Sequence, residues 1–413
     1  MAISTRSDLE QLDREDPLAS FRDEFFLPEG MIYLNGNSLG AMPLKAAERS
    51  RQVVEKEWAV GLIGSMNTAG WYALPVTLGR KIAPLVGAKP NEVVLTDSTG
   101  IDLYKIVAAA LQIQPERRAI VMEGSNFPTN NYMVQGLVEQ LGDGYTIRFA
   151  EADELMDAID EDVATICITH VHYKTGRIHD MAALTERAHS VGAAAVWDLC
   201  HSAGAMPVDL NVCNVDFAVA CTYKYINGGP GSPPLLFAAE RHHGKCFQPL
   251  TGWYSHAAPF DFDRDYRPAE GIRQMLSGTQ PTASLSTAEI GIDIMLRADM
   301  NTIREKSMRM TDLFIELVEA RCGDHDISLA SPRNAEKRGS QVSFFHDEGY
   351  SIIRAMHDHD VGCDYREPGI MRFGFAPLYI RYVDVWDTAE KLREILESGI
   401  WKESKYSDRA AVT

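Results

Sequence analysis

The chain contains no run of about 18 apolar residues, the length a helix needs to cross a bilayer, and no internal repeat or low-complexity stretch. Positive charge is in short supply: 40 Lys and Arg stand against 58 Asp and Glu, for a formal net charge of −18. Nucleic acids and anionic membranes demand a basic face, so neither is expected as a partner. Cysteine is sparse and scattered, at Cys167, Cys200, Cys213, Cys221, Cys246, Cys322 and Cys363, with no C-x-x-C pair and no zinc spacing. These read as reduced thiols in a cytoplasmic protein. The opening Met-Ala-Ile-Ser-Thr-Arg-Ser-Asp-Leu-Glu has neither an apolar core nor a cleavage pattern, so no signal peptide is expected.

What the chain does have is length and apolar content. Its 413 residues, 45% of them hydrophobic, suit two domains of about 100 to 250 residues each. From about residue 75 to 240, helical segments alternate with short apolar runs: 93–95, 119–122, 164–168, 194–196, 217–220 and 235–238. Such alternation signals βαβ units and a mostly parallel sheet covered on both faces. Residues 1–30 are charged and amphipathic, with Phe21, Phe25 and Phe26 as anchors; 43–60 is helical by periodicity; 61–70 reads as a glycine-rich loop. Residues 241–285 hold aromatics and prolines but little pattern. Helical periodicity then runs over 286–317, followed by strands at 341–345 and 370–375 with a helix over 350–358 between them. This is a smaller α+β domain, and 404–413 reads as a frayed tail.

The chemistry gathers at the ends of two apolar runs. One leads into Asp198-x-x-His201, the other into Tyr223-Lys224. Either residue alone reads as a turn residue after a strand. Together they place an acid and an amine at neighbouring strand ends, where open α/β sheets bind ligands. A lysine there is useful when its amine loses a proton and forms an imine with a carbonyl cofactor, and an acid beside it would keep a pyridinium nitrogen protonated. The reading is pyridoxal phosphate (PLP), with Lys224 as the imine lysine and Asp198 as the acid. Thr96-Asp-Ser-Thr-Gly-Ile-Asp102 precedes a helical run from about Leu103 and is either a phosphate cradle or simply an N-cap at Asp97 or Ser98. Phe127 sits where a ring could stack on a flat cofactor, or is core. His170 and His172 lack any supporting third ligand, so no metal is expected. His201 either packs near the cofactor or is a hydrogen-bonded helix-start residue. Tyr223 can reach a phosphate or donate a proton. Gly228-Gly229-Pro230-Gly231 is a rigid turn. Arg372, between Met371 and Phe373, is a candidate clamp for a substrate α-carboxylate.

The chain resembles the kynureninase family of fold type I PLP enzymes, in the aminotransferase class V superfamily. The resemblance runs over most of its length, through 33–40 (Tyr-Leu-Asn-Gly-Asn-Ser-Leu-Gly), Phe127-Pro128-Thr129, 173–176, 197–204, 221–228, Gly252-Trp253, 278–281 and 372–379. It implies a large PLP-binding domain over 61–285 with a mostly parallel seven-stranded sheet. It also implies a small domain over 286–404, an N-terminal segment 1–60 associated with the small domain, and a flexible tail 405–413. Thr99, Gly100, Phe127, Pro128, Thr129, Asn130, Thr169, Asp198, His201, Tyr223 and Lys224 would serve the cofactor of their own subunit. Trp253 and Thr279 would reach the cofactor of the other subunit of a homodimer with shared active sites. Arg372, Asn35 and Ser38 would bind a small amino-acid substrate, and Lys224, Tyr223 and Asp198 would be catalytic. The implied reaction is hydrolysis of L-kynurenine, or 3-hydroxykynurenine, at the Cβ–Cγ bond.

Several positions depart from that family pattern. Gly100 stands for a Ser or Thr, Asp102 for Asn, Asn130 for an acid, His172 for Asn, and Gly64 and Met66 for larger residues. They imply a weaker phosphate hold, a single acid at the pyridine and an enlarged pocket, and so keep open a paralogue or redesigned enzyme acting on another β-substituted amino acid. A cysteine desulfurase-like reading rests on Cys363 as a sulfur acceptor, and a retired, non-catalytic binding protein is a third.

Overall fold

The computed structural model describes residues 5–142 and 144–409. The six apolar runs are strands of one sheet: β1 (Val93–Leu95), β2 (Ala119–Glu123), β4 (Val163–Thr169), β5 (Ala194–Asp198), β6 (Phe217–Ala220) and β7 (Leu235–Ala238). A seventh, β3 (Thr146–Ala150), joins beside β2, and the order is β1-β7-β6-β5-β4-β2-β3. Only β7 is antiparallel to its neighbours. The sheet is therefore the mostly parallel one expected. β3 escaped the sequence reading because it is an edge strand in which only Ala150 is buried, so it shows neither an apolar run nor strict alternation.

Side chains leave a strand on alternate faces, and the central strands are apolar on both. Trp197, Ala195, Ile166 and Ala218 join one core, while Val196, Ala194, Cys167 and Val219 join the other. Helices Thr99–Ala110 and Pro128–Leu141 cover the second face with Leu103, Ile106, Val134 and Leu137; helices Leu74–Ile82 and Met181–Ser190 cover the first with Leu78, Ile82 and Leu184. Helices on both faces leave only the strand ends open to a ligand.

A second sheet of β8 (Ser328–Leu329), β9 (Gln341–Phe345), β10 (Asp364–Arg366) and β11 (Ile370–Gly374) has the order β8-β9-β11-β10 and is antiparallel throughout. Phe314 of helix Met300–Cys322 packs its ring against Phe344, Phe373 and Phe375. The N-terminal segment is tied to this half of the molecule, since Ile32–Tyr33 pairs with Val361–Gly362 and Asn35 bridges to Gly374.

Four local expectations change. The helical stretch expected over 286–317 is two helices, Thr282–Arg297 and Met300–Cys322, divided at Asp299, whose carboxylate caps Thr302 N–H at 2.7 Å. The expected loop 61–70 contains a helical turn at Ser65–Thr68. Of the phenylalanine anchors, Phe25 is buried while Phe26 is exposed. Residues 404–409 do not fray: Tyr406 is buried and its hydroxyl donates to Asp358 at 3.0 Å. Residues 1–4 and 410–413 of the expected N-terminal segment and tail lie outside the described residues.

Candidate active site

The carboxyl ends of β1, β2, β4, β5 and β6 open into one cavity of about 370 Å3. Its wall takes in twelve of the residues expected to serve cofactor, substrate or catalysis: Ser38, Thr99, Gly100, Phe127, Thr129, Asn130, Thr169, Asp198, His201, Tyr223, Lys224 and Arg372. Asp198 and Lys224, 26 residues apart in the chain, meet there because β5 and β6 are parallel neighbours.

Asp198 is buried and its two oxygens are held apart. Oδ2 accepts from Asn130 Nδ2 at 2.7 Å and Oδ1 from the Cys200 backbone N–H at 2.8 Å. Asn130, the departure that removes a second acid, thus becomes a donor that orients the remaining one. The Lys224 amine has no carboxylate partner in the pocket; it donates to His201 Nε2 at 2.9 Å. Burial first, then the Lys224 charge, push the His201 imidazole well below its ordinary value, so the ring is neutral. Its proton then sits on Nδ1, which is buried without a partner. Burial, followed by the nearby Cys221, Cys200 and Asp198, pushes the Tyr223 phenol up and keeps it protonated.

At the other end, helix Thr99–Ala110 starts four residues earlier than expected. Ser98 is its N-cap residue but makes no side-chain capping bond, which leaves the hydroxyl and the first helical amides to the pocket. The N-cap alternative for Asp97 fails as well, because Asp97 turns inward to the fully buried Lys105, which also donates to Met275 O at 2.9 Å. Gly100 has a local reason: a Cβ there would stand 3.2 Å from both Thr129 Cγ2 and Met133 Cε. Behind the turn, Asp102 is fully buried, with neither oxygen hydrogen-bonded and Lys105 Nζ 3.8 Å away. Burial outweighs the pull of Lys105 and raises its carboxyl well above the usual range.

The third wall is cationic. Asp364 on β10, absent from the sequence reading, accepts from Arg372 Nε at 2.6 Å and Nη2 at 2.5 Å, and from Ser38 Oγ at 2.5 Å. Arg372 also donates to Tyr173 O at 2.6 Å and Ser38 Oγ at 3.0 Å. Arg366, likewise unforeseen, lies 3.0 Å from Asp364 and keeps 30% of its side chain exposed, against 2% for Arg372. Two guanidiniums facing one carboxylate leave a net positive charge on the wall. No sequence signal separates Asp364 and Arg366 from surface charges, because the three-residue strand that carries them is too short for periodicity.

Other candidates lie elsewhere. Pro128 opens the helix after Phe127 without reaching the cavity, and Asn35 is a backbone bridge residue beside it. Trp253 and Thr279 are exposed and off this pocket; Trp253 packs with Tyr72, Tyr254 and Phe260. His172 is tied to Ser125 O and Thr175 rather than to the cavity. Gly64 and Met66 do not line this cavity, and Met66 packs on the second core. Cys363 is fully buried and away from the cavity, and burial pushes its thiol well above its ordinary value; it cannot present a sulfur acceptor. No group of three or more metal-ligating side chains with metal-site spacing occurs among the described residues.

A family model described as the kynureninase C-terminal domain matches residues 303–392. The kynureninase of Pseudomonas fluorescens is 50% identical over 416 aligned residues, covering the whole of both chains. The chain belongs to the kynureninase family. The kynureninase of Burkholderia mallei strain SAVP1 is likewise 50% identical over the full length of both chains. Among solved structures, an apo cysteine desulfurase from Thermococcus onnurineus NA1 superposes with a TM-score of 0.76 at 20% identity, over 92% of this chain and 98% of that one. C-DES, in a variant with glycine covalently linked to its PLP cofactor, gives 0.78 at 16% identity, over 90% and 99%. These two establish the fold, the fold type I architecture that kynureninases share with desulfurases.

Proposed function

We propose that the protein hydrolyses L-kynurenine, or 3-hydroxykynurenine, at the Cβ–Cγ bond, releasing L-alanine and the aromatic acid, anthranilate in the first case, as a step in tryptophan catabolism. The observation that carries this reading is the convergence of Asp198, Lys224 and a two-arginine wall on one cavity. PLP fits these residues: a lysine amine with only a neutral imidazole for a partner, a buried acid with oriented oxygens, an unpartnered His201 Nδ1 and a helix N-terminus with free amides.

When bound, PLP supplies an aldehyde for the Lys224 amine and a sink for electrons from the substrate's Cα. Asp198 would hold the ring nitrogen, fixed in place by Asn130 and the Cys200 amide. Thr99, Gly100, Thr129 and Ser98 would receive the phosphate, with Phe127 over the ring and Thr169 and His201 beside it. Lys224 Nζ would carry the proton taken from Cα. Tyr223 Oη, kept protonated by burial, would deliver one to Cβ. Arg372 is already committed to Asp364, Ser38 and Tyr173, so Arg366 and the remaining donor of Arg372 would take the substrate α-carboxylate, with Ser38 and Asn35 fixing the wall behind them.

The assembly we propose is a cytoplasmic homodimer in which Trp253 and Thr279 complete the partner's site. Exposed Val54, Trp58, Val60, Leu62, Ile63, Phe260 and Phe262 support it, because apolar side chains in such number mark a buried interface. Residues 61–285 would be the cofactor domain and 286–404 the small domain with 1–60 attached, an arrangement supported by the pairing of 32–33 with 361–362.

Lys224→Ala tests the reading. The visible band of the lysine-bound cofactor should disappear, and anthranilate fluorescence from kynurenine should fall about 10³-fold or more, the scale of a lost acid–base group. A band that survives the substitution overturns the lysine assignment.

A further inference from the structure

Cys200 and Cys221 stand level with each other just beyond the ends of two parallel strands. β5 and β6 pair Asp198 with Val219, and each cysteine follows two residues after its member of that pair. Neighbouring strands run about 4.7–4.9 Å apart, within the Cα separation of roughly 4.4–6.8 Å that a disulfide spans. Each sulfur reaches the other residue's backbone: Cys221 N–H donates to Cys200 Sγ at 3.2 Å, and the Cys221 thiol to Cys200 O at 3.7 Å. Both thiols are free. Cys200 is part of the cavity wall, while Cys221 lies behind it with 1% of its surface exposed. A small oxidant entering the cavity therefore meets Cys200 first, with Cys221 as its nearest thiol.

We propose that Cys200 and Cys221 form a dithiol that hydrogen peroxide converts to a disulfide, switching the cavity out of its working geometry. The Cys200 sulfur attacks one peroxide oxygen, the O–O bond breaks, and Cys200 becomes a sulfenic acid as its proton leaves with the second oxygen as water. Cys221 sulfur then displaces the hydroxyl, which takes up the Cys221 proton as a second water. Two thiols and one peroxide give one disulfide and two waters. Their mutual hydrogen bond, then burial, push the Cys200 thiol well above its ordinary value, so its proton leaves only as the sulfur attacks. At Cys221 burial opposes ionisation, but the hydrogen bond with Cys200 and the charge of Lys224 prevail, hold that thiol below its ordinary value and help the second step.

The consequence follows from where the two residues sit. Cys200 N–H holds Asp198 Oδ1, and Cys221 lies three residues before Lys224. A bond between the sulfurs replaces the Cys221 N–H···Cys200 Sγ and Cys221 thiol···Cys200 O contacts, so the segments that carry the acid and the amine resettle around it. Disulfide formation stands independently of the activity proposed above, whereas loss of activity rests on that reading.

The experiment treats the full-length protein, loaded with PLP, with hydrogen peroxide and maps its peptides under non-reducing conditions. A Cys200–Cys221 linked peptide, lost on dithiothreitol treatment and absent in both Cys200→Ala and Cys221→Ser, is the expected result. In parallel, the lysine-bound cofactor band should shift and kynurenine turnover should fall about a hundredfold, the effect of moving a group by ~1 Å, each returning with dithiothreitol. Peroxide that leaves both thiols free, or takes Cys200 to the sulfinic acid without a linked peptide, overturns the proposal. A linked peptide with unchanged band and turnover overturns the switch. A linked peptide in a protein inactive on kynurenine even before treatment counts against the proposed activity and leaves the dithiol standing.

Discussion

Two aspartates without exposed surface, Asp102 behind the N-terminal turn of helix Thr99–Ala110 and Asp364 on β10 behind Arg366 and Arg372, lie behind two walls of the same cavity, and their carboxyl pKa values are shifted in opposite directions. Burial is the largest influence on both and pushes both carboxyls up. At Asp364 the guanidiniums of Arg372 and Arg366, with the Ser38 hydroxyl, overcome it and hold the group below its ordinary range. At Asp102 one ammonium at 3.8 Å does not, and neither oxygen has a hydrogen bond. Burial alone thus does not set the charge of an interior carboxylate; the count and geometry of its donors do. The clamp side of the pocket is charged and tightly bonded, and the cradle side keeps its innermost acid neutral.

The harshest way to break this contrast is Asp364→Ala. It leaves Arg372 buried without its counter-charge and should cost about 3–5 kcal/mol in urea unfolding; a loss under 1 kcal/mol (about the value of an exposed pair) would mean the clamp is not charged in the way described. The folded pKa of Asp364 is depressed, so its contribution is present above the ordinary carboxyl value of 3.8 and is lost as pH falls through the folded value. The stability gap to Asp364→Asn should accordingly close in acid.

Arg366→Gln probes the open half of the clamp and leaves Asp364 paired with Arg372. KM for kynurenine should rise about 10- to 100-fold, the range of one charged hydrogen bond, with the cofactor band unchanged and partial recovery in Arg366→Lys. An unchanged KM would assign the carboxylate to Arg372 alone.

The smallest effect is expected from Asp102→Asn. A raised folded pKa means that the native state holds a proton the unfolded chain has released, so stability falls as pH rises from the ordinary value of 3.8 toward the folded value. The substitution removes that loss. It should stabilise the protein by about 1–2 kcal/mol in mildly alkaline buffer and have almost no effect near pH 4, as read from thermal or urea unfolding at the two pH values.

The acid and amine ends of the pocket were legible because two apolar runs of five residues, 193–197 and 217–221, lead into Asp198 and, through Thr222 and Tyr223, into Lys224, and such a run is how a buried parallel strand shows in a sequence. The clamp was only half legible. Arg372 stood out through its apolar neighbours, but Asp364 and Arg366 occupy a three-residue strand and carry the residue types of a surface loop. β3 was hidden for a related reason: an edge strand buries too little to leave a pattern. Tyr406 was misjudged because one aromatic anchor near a terminus is indistinguishable from a polar tail until the groove that receives it is known.

Local sequence therefore determined the alternation of helix and strand, the strand ends that carry chemistry, and the family to which the chain belongs, since each is written in periodicity or in contiguous motifs. Tertiary structure alone decided which charges are partnered. Asp364 meets Arg372 across two strands, Asp102 meets no donor, and Cys200 meets Cys221 because two parallel strands end level. Those outcomes depend on strand register and on how the elements pack, and the energy of a buried charge is set by the donors that the fold brings to it.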